Sequence, residues 1–124
     1  MLADKAAMAT IPVKNLTAAR AFYGKLGFKE TASGETGVAT YRSGNTTMLI
    51  YESEYAGTNK ATTATWGAGR DFDAIVEALQ AAGVRFEHYD VPGATRDGDV
   101  HIFGEFKAAW FKDPDGNILH VNSG

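Results

Sequence analysis

The fold is decided first by residues 11–28, IPVKNLTAARAFYGKLGF, which run from a strand through a helix to a glycine. The apolar pattern predicts a strand over residues 9–13, and Asn15 is a side chain of the type that caps helices, with Thr17 as the alternative cap. Gly27 stands where a left-handed C-terminal cap is expected. Between them, apolar residues recur at helical spacing: Leu16, Ala19, Phe22, Tyr23 and Leu26.

The same order of elements recurs in the second half of the chain. A strand is predicted over residues 61–67, Asp71 follows as a helix cap, and Gly83 follows the helix. The apolar stripe of this helix is Phe72, Ile75, Val76 and Leu79. Further strands are predicted over residues 37–42, 46–52, 84–89, 99–103, 107–112 and 118–121. Residues 113–116, Asp-Pro-Asp-Gly, have a composition typical of a turn. We therefore interpret the two aspartates as turn residues and not as a pair of catalytic acids.

This weak repeat predicts an α+β fold of two βαβββ modules. Paired, they would form a cup-shaped curved sheet with the helices outside. We expect one domain over residues 1–124, with module one at about 8–53, a linker at 54–60 and module two at about 61–122. A length of 124 residues suits a single core.

Composition excludes several classes of protein. With 44% hydrophobic and 22% charged residues, the chain is typical of a globular domain. The absence of cysteine excludes disulfides and thiolate sites. A net charge of −3 argues against nucleic-acid binding, and no apolar run approaches the roughly 20 residues of a membrane span. The first residues lack a secretory apolar stretch, so we expect a cytoplasmic protein.

Residues 11–16, 21–28 and 111–119 (FKDPDGNIL) resemble the vicinal oxygen chelate superfamily. That superfamily includes glyoxalase I, extradiol dioxygenases, fosfomycin-resistance proteins and bleomycin-resistance proteins. The resemblance covers about residues 8–122. It implies paired βαβββ modules around a cup, and it implies a homodimer. Residues 89–93 and 108–111 also look like a glyoxalase-like bacterial subgroup.

In the enzymes of this superfamily, His and Glu from the first and last strands of each module hold one divalent metal. The resemblance places these positions at Met8 or Ala9, at Ala64 or Thr65, at His120, and among Ile50, Tyr51 and Glu52. Only His120 and Glu52 could act as ligands, whereas a catalytic site needs about three. We therefore expect no metal and no other cofactor. A divalent site rearranged around His101 and His120 is the alternative.

The resulting function is a binding protein of the bleomycin-resistance type, which holds a small aromatic or amphipathic molecule in the cup without a metal. Its expected ligand-binding residues are Tyr51, Trp66, His101, Phe111 and His120, although strand aromatics are often core residues. Because alternate residues of a strand face opposite sides, only one of Trp110 and Phe111 can line the cup.

Two enzymatic alternatives use His120. One is a metal-dependent lyase, isomerase or dioxygenase of the glyoxalase type. The other is metal-free acid–base catalysis by the imidazole of His120. The sequence does not decide whether the protein is an enzyme.

Overall fold

The computed structural model describes residues 1–31, 36–112, 114 and 116–124. Within these residues the chain forms ten strands in one sheet and two α-helices, α1 (Leu16–Lys25) and α2 (Phe72–Ala81). The strands are β1 (Ala7–Val13), β2 (Glu30–Thr31), β3 (Val38–Ser43), β4 (Thr46–Glu52), β5 (Thr62–Gly67), β6 (Phe86–Glu87), β7 (Thr95–Asp97), β8 (Val100–Phe103), β9 (Phe106–Lys112) and β10 (Ile118–Asn122). Short 3₁₀ turns span Leu2–Asp4 and Gly69–Asp71. Asp113 and Asp115 of the predicted turn lie outside the described residues.

The sheet has the strand order β2-β3-β4-β1-β5-β10-β9-β8-β7, with β6 also paired to β9. In the first half β1 lies parallel to β4, and in the second half β5 lies parallel to β10. The halves meet where β1 and β5 pair in antiparallel fashion, with Met8 opposite Thr65. The predicted α+β class, with two related strand–helix–strand units, is confirmed.

Matching glycines end α1 and α2. Gly27 has φ 94° and Gly83 has φ 84°, the left-handed conformation that favours glycine. The residue after each glycine donates its amide to a carbonyl of the last helical turn. The distances are 3.1 Å from Phe28 to Tyr23 and 3.0 Å from Val84 to Leu79. The two halves of the chain therefore have matching hydrogen bonds at the C-terminal ends of their helices.

Two glycines, one in the last turn of α1 and one just after the helix, should respond in opposite ways to substitution by alanine. Gly27→Ala is expected to lower the free energy of unfolding by about 1 kcal/mol, because φ 94° is strained for any residue with a Cβ. Gly24→Ala is expected to raise it by about 0.5–1 kcal/mol, since Gly24 is helical and a Cβ there meets nothing within 4 Å. Urea unfolding of both variants tests this, and changes of the same sign would contradict it.

Asp71 occupies the N-cap of α2 but does not cap it. Its carboxylate accepts a hydrogen bond from Lys5 Nζ at 2.7 Å, and no side chain caps this helix. At α1 the expected cap is present, because Asn15 Oδ1 accepts from the amide of Ala18 at 3.0 Å. The prediction of Asp71 as a capping side chain is therefore wrong, since the Lys5 ammonium competes for the same carboxylate.

The strand predicted over residues 84–89 shortens to β6, and β7 forms where no strand is predicted. Both differences have one cause, because β6 and β8 share the same edge of β9. Phe86 pairs with Phe111, while His101 pairs with Ala108 further along β9. The chain between β6 and β8 must therefore leave the sheet, and it returns as β7 on the outer edge of β8.

Helices α1 and α2 pack on the same face of the sheet over separate cores. The first core contains Leu16, Ala19, Ala39, Tyr41 and Ile50. The second contains Ala68, Phe72, Ile75, Val76, Ala109, Phe111 and Val121. We call the opposite face, which carries Met8, Thr65, Trp110 and His120, the cup face. In the described part of the chain, neither helix is long and apolar enough to cross a membrane.

Candidate functional site

Four rings meet on the cup face of the second half, and we call them the aromatic cluster: Tyr89, His101, Trp110 and His120. Trp110 lies at the centre because it pairs with His120 across β9 and β10. Its ring stacks on His120 with centroids 4.5 Å apart and meets His101 edge-on at 4.8 Å. Tyr89 completes the cluster at 5.6 Å from Trp110. Strands β8, β9 and β10 thus bring together both histidines singled out from the sequence.

His120 is held as a neutral side chain. The geometry assigns the Nδ1 proton to a hydrogen bond with the carbonyl of Ala109 at 3.1 Å, while Nε2 accepts from the side-chain amide Nδ2 of Asn122 at 3.3 Å. Burial lowers the pKa of His120 to about 4. Both nitrogens are engaged, and with this pKa the ring is neutral at pH 7. This arrangement favours a packing and hydrogen-bonding role over general base catalysis or metal ligation.

His101 is 1% exposed and anchors the start of a long loop. Its Nε2 accepts a hydrogen bond from the amide of Tyr89 at 3.0 Å, which places the proton of the neutral ring on Nδ1. Burial lowers the pKa of His101, and the nearby backbone of Ala108 opposes that shift. Among the described residues, neither His101 Nδ1 nor Tyr89 Oη has a partner that meets hydrogen-bond geometry. Such unpaired buried atoms are costly and call for an explanation.

Asp99 follows the loop that begins at Tyr89, and its carboxylate connects the two ends of that loop. Its carboxylate contacts His88 Nε2 at 2.7 Å and accepts from Gln80 at 2.9 Å. These hydrogen bonds, that of His88 first, lower the pKa of Asp99. The side chain of His88 is 42% exposed, and it takes part in this closure.

Beneath this loop lies an open cavity of about 550 Å³. Its walls combine an aromatic ring, short apolar side chains and two charges of opposite sign. The lining residues are Tyr89, Asp90, Val91, Pro92, Ala94, Thr95, Arg96 and His101. The cavity therefore adjoins the aromatic cluster, with which it shares Tyr89 and His101.

Three of the aromatic residues expected to bind ligand lie elsewhere. The prediction that Phe111 lines the cup is wrong, because Phe111 is 6% exposed and belongs to the core under α2. Trp66 packs against the same core and stacks on Phe111 at 6.5 Å, so it also faces the helices. Tyr51 lies in the first half, where its hydroxyl accepts a hydrogen bond from the amide of Thr62 at 2.7 Å.

The positions that the superfamily uses for its metal carry the wrong donors here. Met8 pairs with Thr65, and Thr65 pairs with His120, so these three positions adjoin on the cup face. Thr65 Oγ1 accepts from Thr10 Oγ1 at 2.9 Å. Glu52 shares the helix-facing side of β4 with Ile50. In the described residues no three His, Cys, Asp or Glu side chains could hold a metal ion. The residues do not fit the superfamily's metal.

Sequence reasoning missed Trp110 and the cavity loop as parts of the site. The signal for Trp110 was present in the hairpin of β9 and β10. Because His120 was assigned to the cup, the residue opposite it had to face the cup too, and that residue is Trp110. Choosing Phe111 instead required a register one residue away. No periodic pattern marks the loop, whose shape depends on the shared edge of β9.

Comparisons with known proteins agree with this architecture. The sequence model of the Glyoxalase/Bleomycin resistance protein/Dioxygenase superfamily matches residues 5–121. No curated protein matches the chain. A structure from Legionella pneumophila, described as an NAD-dependent benzaldehyde dehydrogenase, is similar with a TM-score of 0.65 and 15% identity, covering 94% of this chain and 97% of that chain.

A glyoxalase/bleomycin resistance protein/dioxygenase superfamily member from Vibrio splendidus 12B01 is also similar. Its TM-score is 0.57 at 8% identity, with 95% of this chain and 97% of that chain covered. At these identities the two structures show a common fold and carry no information on the ligand or reaction of this chain.

Proposed function

We propose that this chain, which belongs to the Glyoxalase/Bleomycin resistance protein/Dioxygenase superfamily, binds a small aromatic or amphipathic molecule without a divalent metal. The binding site is the cavity of about 550 Å³ beneath the loop that starts at Tyr89. That cavity is the observation that carries the proposal, because its volume lies in the range of about 300–1,000 Å³ that is usual for small-molecule sites.

The chemistry of the lining supports a planar or amphipathic ligand. Tyr89 offers a ring, and Val91, Pro92 and Ala94 offer apolar contact. The lining also carries one acidic and one basic side chain. A ligand with one polar group and an apolar body complements such a surface.

The main rival is a metal-dependent lyase, isomerase or dioxygenase that uses His120. It requires donors that the superfamily's metal positions lack, since Met8 and Thr65 stand beside His120. Elemental analysis of protein purified without chelator separates the two functions. Stoichiometric nickel, zinc, manganese or iron would reject the metal-free proposal.

Filling the cavity should weaken binding. Ala94→Trp places an indole among the lining residues, and we expect the affinity for 2-naphthol to fall at least about tenfold, which corresponds to about 1.4 kcal/mol. Ligand-observed NMR provides the measurement, in buffer with EDTA. The matched control is Ala21→Trp on the exposed surface of α1, which should bind as the parent does.

Two outcomes would contradict this function. One is the absence of any 2-naphthol binding to the parent protein at millimolar concentration. The other is equal binding by both tryptophan variants, which would place the probe outside the cavity.

Homodimerisation and cytoplasmic residence accompany this proposal as expectations from the family resemblance and the composition. Multi-angle light scattering on the purified chain measures the first. A mass near 13.3 kDa would show a monomer and reject it.

A further inference from the structure

Arg96 gives the cavity a positive charge on one wall. It lies on β7, at the edge of the sheet, and its backbone pairs with His101 on β8. Residues directly opposite each other in an antiparallel pair project from the same face, so the guanidinium stem and the buried imidazole are neighbours. Both residues line the cavity.

The acidic neighbour that responds to Arg96 is already engaged. Asp99 is influenced by the charge of Arg96, but its oxygens are held by His88 at 2.7 Å and Gln80 at 2.9 Å. Within the described ranges, Arg96 takes part in none of the salt bridges. Its guanidinium is thus a hydrogen-bond donor group, exposed at the cavity and left for an external partner.

The neighbouring imidazole does not compensate this charge. His101 is 1% exposed, and its Nε2 is engaged by the Tyr89 amide. Its Nδ1 is buried beside the backbone of Ala108 and is not accessible to a ligand. Arg96 is therefore the cationic donor on this wall. Its complement is a negatively charged group rich in acceptors, and a carboxylate matches the planar fork of arginine.

We infer that the ligand is an organic carboxylate, held at Arg96 with its apolar body along Val91, Pro92 and Ala94. This inference rests on the proposed function and narrows it to one class of ligand. Asp90 lines the same cavity and carries the opposite charge. It disfavours a second anionic group, so a monocarboxylate fits better than a dicarboxylate or a phosphate dianion.

The test compares three probes of one size and shape: 2-naphthoate, neutral 2-naphthamide and cationic 2-naphthylmethylammonium. Affinities are measured by NMR titration on the full chain at pH 7.5 in 20 mM salt. We expect 2-naphthoate to bind about three- to tenfold more tightly than 2-naphthamide, as one partly exposed ionic contact provides. The cationic probe should bind most weakly. Salt at 500 mM should remove most of the advantage of 2-naphthoate.

Arg96→Gln should abolish the difference between 2-naphthoate and 2-naphthamide, because it removes the cation that only the carboxylate pairs with. The matched control is Arg42→Gln, another exposed strand arginine, located in β3 of the first half. It should preserve the preference. Asp90→Asn should strengthen binding of 2-naphthoate, because it removes a repulsive charge.

The two proposals fail in different ways. If 2-naphthamide binds and 2-naphthoate binds no better, the carboxylate inference is wrong and the binding function stands. If the preference survives Arg96→Gln, the assignment of Arg96 is wrong. If none of the three probes binds, both proposals are rejected.

Discussion

Replacing Phe72 with alanine is expected to lower the free energy of unfolding by about 3–5 kcal/mol. Phe72 is 2% exposed at the start of α2, and its ring belongs to the core that contains Ile75, Phe111 and Val121. The substitution removes apolar contact from the interior and leaves a cavity that neighbouring strands can close only in part. Since domains of this size are stable by about 5–15 kcal/mol, much of the stability would be lost.

Phe22→Ala supplies the matched control. Phe22 is the same residue type on α1, but it is 53% exposed. The change should alter the free energy of unfolding by about 0.5 kcal/mol or less. Urea unfolding followed by circular dichroism measures both variants. Equal losses in the two would contradict the assignment of Phe72 to the core.

Acidification should destabilise the protein through His120. Its folded pKa is lowered from 6.5 to about 4 by burial, so the unfolded chain binds a proton at a pH where the folded chain does not. Stability from this residue is complete above about pH 6.5 and is lost as the pH falls toward 4. The loss between pH 7.5 and 4.5 is about 2–3 kcal/mol for such a shift.

The variant His120→Gln isolates this contribution, because glutamine retains an amide donor but does not titrate. The difference in unfolding free energy between parent and variant should shift by about 2–3 kcal/mol from pH 7.5 to 4.5, while effects of other groups cancel. An NMR titration of the ring proton of His120 gives the pKa directly. A midpoint near 6.5 would contradict the neutral, buried state.

Local sequence patterns predicted much of the fold. The caps at Gly27 and Gly83 depend on residues within one helical turn, and both are confirmed. The strand predicted over residues 46–52 is β4 (Thr46–Glu52), because β-branched and aromatic residues fill it between a turn and a polar segment. These elements depend on contacts between near neighbours in the sequence.

Other features depend on partners far along the chain. The length of β6 is set by β8, which competes for the same edge of β9. Asp71 does not cap α2, because its carboxylate accepts a hydrogen bond from Lys5, which lies 66 residues away in sequence. Local periodicity predicts neither of these two long-range contacts.

The candidate site also combines residues that the sequence identifies with features that depend on distant parts of the chain. His120 was singled out because the family resemblance places a metal-ligand position there, and His101 because it lies on a neighbouring predicted strand. The choice between Trp110 and Phe111 required the register of β9 against β10, which alternation alone does not fix. The cavity required the path of the chain between β6 and β7, which no motif encodes.

The cavity belongs to one half of a duplicated architecture, since its lining begins at Tyr89 and ends at His101. The first half has its own core and touches the second mainly through the three residue pairs of β1 and β5. Effects of substitutions in separated cores are additive in general. The first half can therefore keep its structural role while substitutions accumulate in the loop between β6 and β8 of the second half. A change of ligand would require new side chains between β6 and β8 and would leave both cores intact.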